Sequence, residues 1–261
     1  MTRSTRQTTW SAGTHEQRLC VVGNRASALH QRSGFTLVEL LVVITIIGVL
    51  AALITPAVFQ ARRSGQISAI KAEIDLLHMA MMHYKNEYGS FPPAVSPGGS
   101  SGLAAKHIQR LFPRSSPSPS AVTDDAALVG WLGGYSKNPT NPLAFPRVKL
   151  FEFDQNRVTS TNQFHPREKP GSPYRYVNSS QYFLTRTPTS YTLRPFVQLR
   201  VTEDLNGNGV LDGGEDVNLN STLDCEAFNP DTFQILCAGL DEEWGTDDDL
   251  SNFWKGTRGD Q

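Results

Sequence analysis

The stretch GFTLVELLVVITIIGVLAALITPAVFQARRS, residues 34–64, decides how the chain is read. Phe35 to Phe59 is 25 residues long with Glu39 as its one charged side chain. About 20 apolar residues span a bilayer as a helix, and soluble core helices are rarely so long or so uniform. Five arginines and one glutamate precede it in residues 1–34, which favours a cytoplasmic N-terminus. Arg62 and Arg63 on the far side oppose that orientation but are fewer. Three readings compete: a secretory signal cut near Ala57, an uncleaved anchor, and a segment in which Glu39 has a purpose. A carboxylate at membrane depth is expensive and is usually kept for function. Neither of the first two readings accounts for it.

The chain as a whole is of ordinary globular composition, 39% hydrophobic, 19% charged and −1 overall in 261 residues. The near-neutral total hides an asymmetry. Fourteen acidic residues and no Lys or Arg lie between Glu203 and Asp249. A basic start and an acidic end argue against nucleic acid as a partner and for a membrane at one end and a cation at the other. Cys225 and Cys237 are candidates for a disulfide in an oxidising compartment, or are two separate core residues. No catalytic motif is present, and the six histidines are scattered, so no enzymatic activity is expected.

The order of residues from Gly34 to Pro56 resembles the class III signal of type IV pilins and type II secretion pseudopilins. The resemblance implies cleavage after Gly34 by a prepilin peptidase and methylation of Phe35 as the new terminus. It makes Glu39 the fifth mature residue and implies that it pairs with the Phe35 amine of a neighbouring subunit. It implies a single-pass inner-membrane protein with a periplasmic head, drawn by an inner-membrane assembly platform into a homo-oligomeric or mixed filament that supports protein export. A type IV or minor pilin, or a calcium-dependent binding module on a membrane stalk, is the alternative.

The implied domains are a cleaved basic leader (1–34), a transmembrane half-helix (35–59) and its amphipathic continuation (60–91). A loop and short-helix insertion (92–146) and an antiparallel β head (147–261) follow. The fold expected is α+β and pilin-like, a long helix packed on a small antiparallel sheet with calcium-type loops. Ile67, Ile70, Ile74, Leu77, Met81, Tyr84 and Tyr88 recur at alternating steps of three and four, one apolar stripe. Met79, Met81 and Met82 are expected in the core, and Gly89 and Pro92 end the helix. LAAKHIQRLF and DDAALVGWLGGYS read as short helices, the second with Asp124 as a possible cap. RVKLFEF, PYRYVNS, SYTLRPFVQLRV and DTFQILCAGL read as strands.

Asp204, Asn206, Asn208, Gly209, Asp212 and Glu215 match the twelve-residue calcium loop, with Val210 at its carbonyl position. A second copy follows at a period of twelve through Asp216, Asn218, Asn220 and Asp224. Ser221 replaces its turn glycine and Ala227 stands where the closing glutamate belongs, so weak binding or none is expected there. An Asx-rich solvated turn is the alternative for both. The segment from Gln234 to Trp254 resembles the C-terminal calcium loop of the major pseudopilin. That resemblance implies Asp241, Asp247 and Asp249 as ligands, Asp248 as a further candidate, and carbonyls around Leu240 and Trp244.

Overall fold

The computed structural model describes residues 35–95, 102–116, 124–167 and 171–260. The leader, with the Gly34 side of the expected cleavage site, lies outside them. The chain divides into two units, one up to Leu53 and one from Ile54 onward.

Helix α1 runs from Leu37 to Tyr88, 52 residues, and continues through Pro56 and Gly65. Pro56 removes one backbone donor but does not end it. In the first unit every described residue is exposed. Helix α1 meets the length and apolarity needed to cross a membrane.

In the second unit the expected stripe is the buried face of α1. Ile70, Ile74, Leu77, Met81 and Tyr84 are buried and are joined by Ala80, while Ile67 and Tyr88 pack at the margin. Met79 departs from expectation: it is 57% exposed, because it falls opposite the stripe. Gly89 closes the helix in the left-handed conformation at φ +78°, donating to the Lys85 carbonyl. The carbonyls beyond it are gripped by the core. Tyr176 donates to Pro92 O (2.7 Å), and Trp131 Nε1 to Pro93 O and Val95 O (3.0 and 2.7 Å).

Helices α2 (Gly102–Leu111) and α3 (Ala127–Leu132) follow. They supply Ala104, Ile108, Leu128, Trp131 and Leu132 to the same core. Asp124 does not cap α3. A 3-10 turn, Asp124–Ala126, leads into it, and no side chain caps its first turn.

Among the described residues nine short strands complete the unit: β1 (Tyr135–Ser136), β2 (Arg147–Val148), β3 (Arg175–Asn178), β4 (Phe183–Arg186), β5 (Tyr191–Leu193), β6 (Leu199–Thr202), β7 (Cys225–Ala227), β8 (Phe233–Cys237) and β9 (Leu250–Ser251). They form one three-stranded antiparallel sheet, β3-β8-β9, and three two-stranded ribbons, β1-β2, β4-β5 and β6-β7. β8 is the central strand, and all five of its residues are buried. RVKLFEF yields only the two residues of β2. Its aromatics instead begin a chain of ring contacts, edge-on from Phe151 to Phe153 and from Phe153 to Phe164, then stacked from Phe164 to Tyr174.

An ion pair ties α1 to this region. Arg157 reaches Glu73 with both terminal nitrogens (2.6 and 2.5 Å), and Tyr174 donates to the same carboxylate (2.5 Å). The disulfide does not form. Cys225 and Cys237 are both free, in β7 and β8, which belong to different sheets. Burial pushes the Cys237 thiol up to about 12.

Candidate functional site

Phe35, at the expected mature terminus, is 71% exposed. Next to it Thr36 and Glu39 form a reciprocal cap. Glu39 N donates to Thr36 Oγ1 (3.2 Å), while Thr36 N and Oγ1 donate to Glu39 Oε2 (3.2 and 3.1 Å). This is the capping box, a Thr followed three residues later by a Glu. Its signal, Thr-Leu-Val-Glu, was present in the sequence and is masked by the apolar run that follows. Glu39 therefore has a partner within its own chain, and its acidic charge complements the positive end of the helix.

The acidic loops lie in the second unit. In the first twelve-residue loop the predicted residues converge. Asp204 and Glu215 are buried, 5% and 6% exposed. Asn206 and Asn208 donate from their amides to Asp212 Oδ2 (2.9 and 2.7 Å). Asp204 Oδ1 accepts from Asn208 N and Oδ2 from Gly209 N, while Asn206 and Asn208 Oδ1 accept from Asn208 N and Val210 N. Burial raises the Asp204 carboxyl, but the bonds it accepts from Tyr191 and the loop amides outweigh this and hold it below its ordinary value. Val210 bridges to Ser190 on the edge of the β4-β5 ribbon.

The second loop repeats these Asn and Asp bonds. Asn218 and Asn220 donate to Asp224 Oδ2 (2.7 and 2.9 Å). Asp216 accepts from Asn220 N and Ser221 N, and Asn218 and Asn220 Oδ1 accept from Asn220 N and Thr222 N. The backbone matches as well. Gly207 and Gly209 have φ of +74° and +76°, and Leu219 and Ser221 in the same places have +58° and +57°. At Gly209 a side chain is also excluded by space, since a Cβ would lie 2.4 Å from the Tyr191 carbonyl oxygen. Both loops rest on one turn: Leu211 N donates to Thr189 O and Leu223 N to Pro188 O (2.8 and 2.6 Å).

The closing carboxylate of the second loop is Glu203, which the sequence reading missed. Glu215 closes the first loop by accepting from Leu205 N, Asn206 N and Asp212 N. Glu203 accepts from Val217 N and Asp224 N (both 3.2 Å), the counterparts of Leu205 and Asp212. Ala227, at the expected closing position, is instead the end of β7. No helix flanks either loop; β6 precedes the pair and β7 follows it.

In the C-terminal loop Asp248 is committed internally. Its Oδ2 accepts from Leu240 N and Asp241 N, and its Oδ1 from Thr246 Oγ1. Asp241 and Asp247 are exposed. Asp249 is 1% exposed; its Oδ2 accepts from Gly245 N (2.9 Å), and its Oδ1 is buried with no hydrogen-bond partner among the described residues. Burial raises the Asp249 carboxyl to about 6. The Gly245 amide and Arg258 pull it down, and the charges of Asp248 and Asp241 push it up. Among the described residues no three His, Cys, Asp or Glu side chains gather tightly enough to make a cation shell by themselves. Asn and main-chain oxygens are the further hard donors present. An orphaned buried carboxylate oxygen among acidic neighbours fits a hard cation of this kind.

Residues 29–55 match the family model of the prokaryotic N-terminal methylation motif. The chain is similar to the type II secretion system core protein G of Pseudomonas aeruginosa, 31% identical over 116 residues. The match covers 44% of this chain and 71% of that protein. No solved structure matches the chain. With a methylation motif at the head of its long apolar helix and most of a pseudopilin's length matched, the chain belongs to the type IV pilin and pseudopilin family.

Proposed function

We infer that the chain is a structural, non-enzymatic subunit of a type II secretion-like pseudopilus. A prepilin peptidase cuts it between Gly34 and Phe35 and the new terminus is methylated. The apolar half of α1 holds it in the inner membrane, with the head in the periplasm, until an assembly platform adds it to a filament of like or mixed subunits. The observation that carries this reading is the bare apolar segment from Phe35 to Phe59, headed by the methylation motif. An exposed apolar helix surface of this length needs lipid or copies of itself to cover it.

Calcium belongs to the same reading. Asp249 with Asp241 and Asp247 would hold one ion in the C-terminal loop, and the twelve-residue loops offer the same class of oxygen donors. Bound calcium would neutralise carboxylates that otherwise repel one another, and so would stabilise the head.

Mass spectrometry of the protein purified from membranes tests the first step. Removal of residues 1–34 leaves 227 of the 261 residues, with a methyl group on Phe35. A mature chain starting near Ala57 would have lost its membrane helix, and the filament reading would go with it.

A further inference from the structure

The C-terminal acidic loop brings its own cation. Beyond β9 the chain turns back on the loop. Thr257 bridges to Leu250, Arg258 N donates to Asp249 O (2.8 Å) and Gly259 N donates to Asp247 O (2.7 Å). Asp260 fixes this turn by accepting from Thr257 N and Thr257 Oγ1 (both 2.8 Å). These contacts carry the Arg258 guanidinium to 3.8 Å from Asp249 Oδ2. The two partners are unequal in freedom. The Asp249 side chain is 2% exposed, while that of Arg258 is 41% exposed and can swing into solvent. The arginine meets one oxygen of the carboxylate and leaves the other without a partner.

We propose that Arg258 is a built-in counter-ion of the C-terminal loop, holding it folded without calcium and weakening calcium binding when the ion arrives. The proposal rests on the calcium reading of this loop given above. A guanidinium stays charged at all working pH values, so its opposition to a divalent ion on the same carboxylate is permanent. Without it, Asp249 would be a buried charge facing Asp241 and Asp248, and the empty loop would be less stable. With it, calcium must displace the arginine or share the carboxylate with it. One partly screened unit charge at this range changes affinity by about tenfold.

The test uses the full chain in detergent, with calcium chloride as the probe, read by calorimetric titration and by thermal melting. Arg258→Gln removes the charge and keeps hydrogen-bond donors; Arg258→Lys keeps the charge. The expected result is a calcium dissociation constant about tenfold lower in R258Q, with R258K near wild type. R258Q should also melt lower than wild type in chelator and gain more from calcium. Equal or weaker calcium binding by R258Q, beside a wild type that binds, overturns the proposal and leaves the calcium reading standing. A parallel weakening in R258K and R258Q would mark the arginine as a merely structural prop and overturns it too. Absence of any calcium response in wild type, R258Q and R258K overturns the calcium reading itself, and the proposal with it.

Discussion

A glutamate in the first turn of an apolar helix has two partners open to it. One is the Thr36 backbone and hydroxyl, three residues earlier, which Glu39 engages within its own chain. The other, on the filament reading, is the terminal amine of a neighbour. Substitution by alanine removes both at once and cannot tell them apart. Glutamine can serve in a capping box but carries no charge. Glu39→Gln should therefore keep the start of α1 intact and still fail to enter filaments, as Glu39→Ala should. Loss of the cap alone costs about 0.5–2 kcal/mol of helix stability. Filament yield by electron microscopy is the measurement; normal filaments from E39Q would make the cap, and not the charge, the reason for this residue. The charge was the legible feature of Glu39 in the sequence. The cap was written there too, but in a three-residue spacing that the surrounding apolar run made easy to overlook.

At the scale of elements, α1 was legible because its signal is local: a 3-4 apolar rhythm and a glycine stop each depend only on neighbours in the chain. The strands were less so. β7 and β9 are only three and two residues long and exist because of partners elsewhere in the chain, such as the pairing of Cys225 with Thr202. The twelve-residue repeat was legible for the same local reason as α1. Its closing glutamate was not, since Glu203 lies 21 residues from Asp224, ahead of the first copy and not behind the second. If the second loop binds calcium, Glu203→Gln should reduce the number of bound ions by one and leave the Asp204–Glu215 loop filled. The lost site is worth about 2.7 kcal/mol of stability at a calcium concentration a hundred times its dissociation constant. Calorimetric stoichiometry decides it. An unchanged ion count would leave Glu203 as a hydrogen-bond acceptor and nothing more.

Across the whole molecule, the least legible feature is the polar centre of the core. Tyr84 on α1 meets His107 on α2 (2.9 Å) and Tyr135 on β1 (2.6 Å), joining three elements through hydrogen bonds that no sequence pattern records. Burial, aided by Arg110, lowers the His107 ring from 6.5 to about 4. The ordinary value, about 6.5, applies in the unfolded chain. The stabilising effect of keeping this ring neutral is thus fully present above pH 6.5 and is lost as pH falls toward 4. The full loss is on the order of 3 kcal/mol. Asp249, raised to about 6, works in the opposite direction over much of the same range. The comparison must therefore be between proteins. The stability advantage of wild type over His107→Asn should shrink steadily from pH 6.5 to pH 4 in denaturant titrations. A difference that is flat with pH would mean that the buried ring does not resist protonation.

The crossed service of Glu203 and Glu215 bears on how such a segment can grow. Read at a period of twelve, the two glutamates are one and the same position, the residue just ahead of a loop. The one between the copies serves the copy before it, and the one ahead of both serves the last. An open tandem array lengthens by adding units and always leaves its final unit unfinished. Here the two ends meet, as in a ring, and nothing is left unfinished. A third copy would force the leading glutamate to reach past a neighbour. Two is therefore a closed number for this segment, fixed by the folding of the pair and invisible in either copy alone.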